Sequence, residues 1–219
     1  METAERFPRR AEQARATKRS IVRAATDLFV SQGYAVTSIA SIAAAAGLGV
    51  QTVYAAFGNK RAILAAAVDQ AIAGDDRPIA VNDRTWMQLV LETDEPAERL
   101  RSYARAVRLI HDGAAQMFHV FEVAAAGEPD LTAAWQEALR RRRVGVSGVV
   151  GPIGERGQLR DGLDPSTAID VVWALNGHET YLNLVGHRAW PREQYETWLG
   201  DCFVALLLPP TGTSRRRTR

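Results

Sequence analysis

The chain has 219 residues, of which 47% are hydrophobic and 24% charged, and its net charge is +2 at pH 7. This balance is ordinary for a folded globular protein and excludes long disordered segments. No apolar run approaches the roughly 18 residues that a membrane-spanning helix needs, and the first ten residues are charged where a secretion signal is apolar. We therefore expect a cytoplasmic protein with no membrane partner. Cys202 is the only cysteine, so an internal disulfide and a thiolate metal site are excluded.

The small net charge hides an uneven distribution along the chain. Residues 1–62 contain nine basic and four acidic residues, a net charge of +5, whereas residues 63–208 carry a net charge of −7. The segment from residue 209 onward adds four arginines and no acid. The N-terminal segment is therefore the part best suited to bind a polyanion.

Alanine and leucine recur at helical spacing, and no stretch alternates apolar and polar residues as a strand does. The sequence therefore predicts an all-α fold of about nine or ten helices. In the N-terminal part we expect helices over 16–32, from Thr37 or Ser38 to Ala46, over 50–57 and over 60–73, separated by glycines and polar caps.

Longer helices follow, and proline and glycine mark the loops between them. The predicted spans are 83–91, 96–111, 114–126, 130–150, 165–188 and 191–208. The last helix has the clearest apolar face, with Tyr195, Trp198, Leu199, Cys202, Phe203 and Leu206 at helical spacing. Residues 1–14 and 209–219 lack an apolar period and are predicted to be mobile basic tails.

The segment from Ser38 to Phe57 has the arrangement of a helix-turn-helix. A helix of about two turns is followed by the break Ala46-Gly47-Leu48-Gly49 and a second short helix. Apolar side chains are expected to pack the pair against the first helix, which leaves the outer face of the second helix free to enter a DNA major groove. Many alanine-rich hairpins share this spacing, so the pattern alone leaves both interpretations open.

From Thr17 to about Gln70 the chain resembles the N-terminal domain of the tetracycline-repressor (TetR) family of transcription regulators. The resemblance is carried by IVRAATDLFVSQGY at 21–34, TSIASIAAAAG at 37–47 and LGVQTVYAAFGNKRAIL at 48–64. Its markers are Leu28-Phe29 before Gly33-Tyr34, Ile42-Ala43 before Gly47, and Thr52, Tyr54, Phe57 and Lys60 in register. The resemblance implies a ligand-released repressor that binds an inverted-repeat, double-stranded operator as a homodimer. It also implies a helix-turn-helix DNA-binding domain at 15–62 and a helical ligand-binding and dimerisation domain at 63–208.

The resemblance further implies which residues touch DNA. Thr37 or Ser38, together with Tyr54 and Lys60, match phosphate-contacting positions, which set register and affinity. Base reading then falls to Val50, Gln51, Thr52 and Ala55. Gln51 is able to bond two edges of an adenine. Many relatives carry larger polar side chains at the positions of Val50, Ala55 and Ala56. We therefore expect few direct contacts to bases and a contribution of DNA shape to sequence specificity.

In the second domain the resemblance implies that the last two helices pair with their mates in a four-helix bundle. Candidate interface residues are Leu175, Leu182, Trp198 and Phe203. Candidate pocket residues for an unknown small-molecule effector are large apolar or amphipathic side chains in mid-helix, which also suit a plain core. They are Trp86, Met117, Phe118, Phe121, Trp173, His178 and Tyr181.

Two other classes of function are alternatives to DNA binding. His111, His119, His178 and His187 suggest an enzyme or a metal site, but no HExxH spacing, glycine-rich phosphate loop or Gly-x-Ser-x-Gly elbow occurs. We therefore expect no catalytic residue, no metal and no cofactor. The Arg140–Arg143 run is interpreted as a solvated helix face, with a protein contact as the alternative.

Overall fold

The computed structural model describes residues 6–74 and 83–210, and within these ranges every regular element is a helix. This confirms the all-α prediction. The α-helices are α1 (Arg6–Gln32), α2 (Ile39–Ala45), α3 (Val50–Phe57), α4 (Lys60–Ala73), α5 (Thr85–Glu92), α6 (Pro96–Ala125), α7 (Pro129–Glu155), α8 (Pro165–Leu175), α9 (His178–Tyr181) and α10 (Arg192–Leu207), with a π-helical segment at Leu182–His187. No single helix in these ranges is both long and apolar enough to cross a membrane; the bent pair of α2 and α3 meets that requirement only jointly, by length and composition.

The described residues divide into two compact units. The N-terminal unit comprises residues 6–74 and 116–135, and the C-terminal unit comprises residues 83–115 and 136–210. The long helices α6 and α7 contribute residues to both units. The predicted domain boundary at residue 62 stays a prediction.

In the N-terminal unit, α1 packs against α2 and α4. Its predicted apolar face is buried, with Ile21, Ala25 and Phe29 shielded from solvent. The predicted start of this helix is wrong, because α1 begins at Arg6. Residues 6–14, predicted to belong to a mobile tail, are therefore helical; residues 11–16 are exposed, so no apolar period marks this extension. The other predicted tail residues, 1–5 and 211–219, lie outside the described residues.

The C-terminal unit is built around one hydrophobic core from α5 to α10. Two predicted helices, 96–111 and 114–126, are in fact the single helix α6. Gly113 lies inside it on an exposed face. A glycine within a helix costs only about 1 kcal/mol relative to alanine, and burial of the following Ala114 and Ala115 offsets that cost.

The predicted continuous helix at 165–188 is also corrected, because α8 ends at Leu175 and Asn176 caps it. The Asn176 side chain donates a hydrogen bond to the Tyr103 hydroxyl at 2.8 Å. This tertiary bond and the following Gly177 separate α8 from α9. The chain then continues through the π-helical segment Leu182–His187.

Helix α10 confirms the predicted buried face but divides it into two rows. The inner row is buried: Tyr195, Leu199, Phe203 and Leu207. The outer row keeps part of its surface exposed: Trp198, Cys202 and Leu206. The outer row is therefore the side of α10 where apolar side chains remain exposed to solvent.

Candidate nucleic-acid interface

Helices α2 and α3 form a bent pair with an angle of 109° between them, which is the geometry of a helix-turn-helix. The turn follows from the end of α2. Gly47 adopts a positive φ of 67°, the amide of Leu48 donates to the carbonyl of Ala43 at 2.9 Å and that of Gly47 to Ala44 at 3.1 Å. This pair of bonds closes a helix C-terminus around a left-handed residue, a conformation that glycine adopts without strain.

The N-terminus of α2 is capped by Ser38, one of the two residues that the sequence allowed for this role. The Ser41 amide donates to the Ser38 hydroxyl and the Ser38 amide to the Ser41 hydroxyl, each at 3.0 Å. Ser38 remains exposed at this helix end. The end therefore presents backbone amides and a hydroxyl that suit a phosphate oxygen.

Thr37 does not share this surface, since it is only 1% exposed. Its hydroxyl donates to the Gly33 carbonyl at 2.8 Å and accepts from the Gln32 amide nitrogen Nε2 at 3.1 Å. The side chain therefore stabilises the loop between α1 and α2. The predicted phosphate contact of the Thr37 side chain is corrected on this ground.

Helix α3 has one buried residue on its inner side and several exposed residues on its outer side. Val53 is 0% exposed and lies in the core of the N-terminal unit. The predicted base-reading residues Val50, Gln51, Thr52 and Ala55 are all exposed. Tyr54 is 47% exposed, so the predicted DNA-contacting side chains of α3 reach the surface together. Their individual roles stay predictions.

Lys60 begins α4, and its side chain turns toward the protein. Its Nζ donates to the carbonyls of Tyr34 and Thr37, each at 2.9 Å, and lies 4.0 Å from the centroid of the Tyr34 ring. Partial burial lowers the pKa of Lys60, while the nearby Glu128 acts in the opposite direction. The structure therefore places the Lys60 ammonium among backbone carbonyls.

One basic side chain of α1 lies close to the end of α3. The Lys18 Nζ is 5.8 Å from the centroid of the Phe57 ring, and Arg15, Arg19 and Arg23 are exposed on the same helix. Arg61 on α4 has a different environment, since it forms an ion pair with Asp130 at the start of α7. Lys18 therefore places positive charge at the end of α3, and the exposed arginines add to the positive charge of α1.

The predicted pocket residues fall into two groups, one in each unit. In the N-terminal unit, Met117 and Phe121 are buried and Phe118 is half-buried, and Phe121 packs edge-on against Trp135 at 5.2 Å. In the C-terminal unit the half-buried residues are Trp86 and Trp173, and the buried residues are His178 and Tyr181.

The C-terminal unit contains a buried polar cluster, of which only Tyr181 was predicted from the sequence as a pocket residue. It consists of Tyr103, His111, Asn176, Tyr181 and Tyr195. The Tyr181 ring lies 5.5 Å from the His111 ring and 5.1 Å from the Tyr195 ring. Within the residues that the structure describes, the Oδ1 of Asn176 and the hydroxyl of Tyr195 have no hydrogen-bond partner. The Asn176-Gly177 dipeptide, a common helix breaker, was the available sequence signal.

Trp173 on α8 lies in the same unit. Its ring contacts a cation, and its indole nitrogen is buried. The Arg142 guanidinium lies 4.5 Å from the centroid of its ring. Its indole Nε1 is buried and has no hydrogen-bond partner in the described part of the chain. The buried indole N–H is thus a further hydrogen-bond donor in this unit.

The predicted interface residues differ in their exposure to solvent. Leu175, Leu182 and Trp198 are half-buried, so they have surface available to a partner. Phe203 is 0% exposed and stacks on Tyr103 with ring centroids 6.1 Å apart. A side chain with no exposed surface does not contact a second subunit, so the prediction for Phe203 is corrected to a core role.

Residues 21–67 match the sequence model of one protein family, described as bacterial regulatory proteins, tetR family. No match was found among the curated proteins. Solved structures similar to this chain include a TetR family transcriptional regulator, PfmR, from Thermus thermophilus, with 21% identity, a TM-score of 0.64 and coverage of 86% of this chain and 99% of that one.

Two further solved structures have the same fold. NalD, the secondary repressor of the MexAB-OprM multidrug efflux pump in Pseudomonas aeruginosa, is 18% identical with a TM-score of 0.64, covering 91% of this chain and 99% of that one. SmeT in a complex with triclosan is 21% identical with a TM-score of 0.68, covering 90% and 93%. At these identities the likeness shows the fold alone.

Proposed function

We propose that the chain is a cytoplasmic, ligand-released repressor that binds an inverted-repeat operator as a homodimer. The match of residues 21–67 to the sequence model of bacterial regulatory proteins, tetR family, supports this proposal. The observation that carries the proposal is the exposed face of α3 above the buried Val53. Residues 15–62 are the DNA-binding domain in this proposal, and residues 63–208 bind the effector and the second subunit. No catalytic step belongs to it.

The DNA contacts follow from the surface of the N-terminal unit. The capped N-terminus of α2 at Ser38 suits one phosphate, and the exposed Tyr54 hydroxyl suits another. Gln51 and Thr52 carry the polar groups that reach base edges in the major groove. The exposed basic residues of α1 add attraction that does not depend on sequence.

Dimerisation is assigned to the partly exposed apolar residues of α8, the π-helical segment and α10. Leu175, Leu182 and Trp198 are half-buried, and Leu206 is 38% exposed. Apolar surface of this kind gains free energy when a second subunit covers it. The repressor role is supported by NalD, which has the same fold and is a repressor.

The effector site is assigned to the buried polar cluster together with Trp173 and His178. A buried polar group without a hydrogen-bond partner costs about 1 to 3 kcal/mol, and Asn176 and Tyr195 each carry one such atom within the described residues. A small, largely apolar ligand with a few polar groups would supply partners for these atoms. Triclosan, the ligand in the SmeT complex, is the first molecule to test.

The DNA-binding proposal is tested by selection from a random duplex library, followed by salt titration on the selected sequence. We expect an inverted repeat bound in the nanomolar range, with affinity that falls steeply as salt rises because each neutralised phosphate releases counterions. A selection at low salt that enriches no palindrome contradicts the proposal.

The effector proposal is tested on the protein bound to that duplex. We expect triclosan to raise the melting temperature and release the DNA, with a coupling of about 1 to 3 kcal/mol between the two sites. Trp173→Ala should remove the response while the protein stays dimeric and bound. Leu89→Ala is the control and should leave the response intact, because Leu89 is 60% exposed and belongs to neither the assigned effector site nor the assigned dimer surface. Normal release from the Trp173→Ala variant places the site elsewhere.

A further inference from the structure

The buried polar cluster of the C-terminal unit contains two groups that need a hydrogen-bond partner. Asn176 donates from its amide nitrogen to the Tyr103 hydroxyl at 2.8 Å, but its Oδ1 accepts no hydrogen bond from the part of the chain that the structure describes. The Tyr195 hydroxyl has no partner there either. Asn176 is 3% exposed and Tyr195 0%, and polar groups at this depth are hydrogen-bonded in the large majority of cases. A bound molecule is therefore expected beside them.

These two groups are connected through the other tyrosines of the cluster. The Tyr103 hydroxyl accepts the hydrogen bond from Asn176. Burial raises the pKa of Tyr195, and the nearby Tyr181 and Tyr103 hydroxyls raise it further. The rings of Tyr181 and Tyr195 have their centroids 5.1 Å apart. The free acceptor of Asn176 and the hydroxyl of Tyr195 therefore lie around the same tyrosines, where one small ligand serves both.

The titratable residues of the cluster are uncharged at neutral pH. Burial raises the pKa values of Tyr103 and Tyr181 to about 12 and lowers that of His111 to about 3. The carboxylate beside Tyr181 is Asp112, which already accepts hydrogen bonds from Arg108 at 2.7 Å and from the Tyr181 hydroxyl at 2.5 Å. A charged ligand that enters the cluster therefore loses its hydration without gaining a counter-ion among these residues, which is unfavourable.

A cation lies near the cluster and raises the alternative of an anionic ligand. Arg142 adds to the effect of burial in lowering the pKa of His111 and opposes the rise that burial causes in the pKa of Tyr103. A carboxylate ligand, however, has no hydrogen to donate to the Oδ1 of Asn176 and would repel that oxygen. An ammonium ligand would donate to it but would be repelled by Arg142. Together Asn176 and Arg142 therefore favour an uncharged ligand that carries a hydrogen-bond donor.

We propose that the cluster binds an uncharged alcohol, phenol or amide on an apolar body, which donates a hydrogen bond to the Oδ1 of Asn176 and accepts one from the hydroxyl of Tyr195. The apolar body suits the aromatic surroundings of these groups. The inference rests on the proposed function of this site and names the chemical class of its effector. It does not depend on DNA binding.

The test measures the affinity of the full chain, without DNA, for four probes of similar size by calorimetry. They are benzyl alcohol, anisole, benzoate and benzylammonium. Benzyl alcohol should bind about tenfold more tightly than anisole, because an ether accepts a hydrogen bond but leaves the Oδ1 of Asn176 without a donor. Benzoate and benzylammonium should bind no more tightly than anisole, since each carries its charge into a buried site.

Two variants assign the two hydrogen bonds. Asn176→Leu should abolish the preference for benzyl alcohol over anisole, whereas Tyr195→Phe should weaken both probes alike, by about tenfold, because both accept from that hydroxyl. Asn176→Leu also removes the bond to Tyr103, so circular dichroism checks that it folds. Tyr195→Phe removes no bond within the described residues and keeps the test decisive if Asn176→Leu does not fold. Tyr34→Phe, in the N-terminal unit, is the matched control and should bind all probes as the wild type does.

Carbon-13 NMR of labelled tyrosine locates the bound probe. The Cζ resonance of Tyr195, assigned by its loss in Tyr195→Phe, should shift when benzyl alcohol binds. An unmoved resonance overturns the inference, because water alone then satisfies these groups. Tightest binding of benzoate also overturns it and assigns the ligand class to Arg142, while the proposed effector site stands. If neither triclosan nor any of the four probes binds, the assignment of the effector site is wrong as well.

Discussion

The two units place their candidate functional groups in opposite environments. In the N-terminal unit the α3 side chains that we propose to contact DNA are exposed, and Val53 on the same helix is buried. In the C-terminal unit the polar groups assigned to ligand binding are buried, as shown by the bond between Asn176 and Tyr103, residues 73 positions apart. The proposed DNA surface is thus built from residues close together in sequence, whereas the proposed effector site depends on long-range contacts.

The largest expected effect comes from a substitution at the buried residue of α3 and is compared with one at an exposed residue. Val53→Asp places a carboxylate in a fully buried position, which should cost more than about 3 kcal/mol. DNA binding should be lost, and amides of α1 to α4 should lose protection from exchange. Protection in the core of the C-terminal unit should remain, because that core has its own hydrophobic cluster.

Ala55→Asp is the matched control for that change. Ala55 is exposed on α3, so the carboxylate stays in water and the fold should keep its stability. DNA binding should still fall, because the new charge repels phosphate. If Val53→Asp leaves amide protection in α1 to α4 unchanged, Val53 is not the anchor of the recognition helix.

The next effect concerns pH and the C-terminal unit. Burial, aided by repulsion from His178 and Arg142, lowers the pKa of His111 from 6.5 to about 3. Between these values the unfolded chain binds a proton that the folded chain does not. The free energy of unfolding should therefore fall as pH decreases below about 6.5, by up to about 1.4 kcal/mol per pH unit.

Denaturant titrations across this pH range measure the direction of the change in the free energy of unfolding and test whether His111 causes it. His111→Gln should flatten the pH dependence of the free energy of unfolding. His187→Gln, at an exposed position, should leave it unchanged. A His111→Gln variant with the wild-type slope would show that another group carries the acid sensitivity.

A smaller effect distinguishes two buried tyrosines of the polar cluster. Tyr103→Phe leaves the Asn176 amide nitrogen without its acceptor and should lower the free energy of unfolding by about 1 to 3 kcal/mol. Tyr195→Phe removes a hydroxyl that has no partner among the described residues, so stability should stay the same or rise. Chemical denaturation without ligand measures both. Equal destabilisation by the two changes would mean that the Tyr195 hydroxyl is bonded in the folded protein.

The most local expected effect is a loss of binding free energy at one position of the operator. Gln51→Ala should cost about 1 to 3 kcal/mol at a single base pair in each half-site and little elsewhere. Ser38→Ala should instead weaken all sequences alike, since phosphate contacts carry no sequence information. Affinities for a set of single-base operator variants measure both patterns. An unchanged base preference in Gln51→Ala assigns the readout to DNA shape.

The success of sequence reasoning follows the same division between local and long-range signals. The cap of α2, narrowed to Thr37 or Ser38, and the turn at Gly47 were predictable because each depends on a few neighbouring residues. The break at Asn176 was missed because it is coupled to Tyr103 on another helix. Lys60 was correctly placed at the start of α4, but its carbonyl partners lie on a loop about 25 residues away and no local pattern reveals them.

The central claim is that two chains bind one inverted repeat together, and operator spacing tests it most directly. Recognition helices of a dimer must enter major grooves about one helical turn, roughly 34 Å, apart or a multiple of it. Sedimentation should find two chains on each selected duplex, and inserting about five base pairs between the half-sites should abolish tight binding by placing one of them on the opposite face of the DNA. One chain per duplex, or an affinity that does not change with the insertion, would contradict the account.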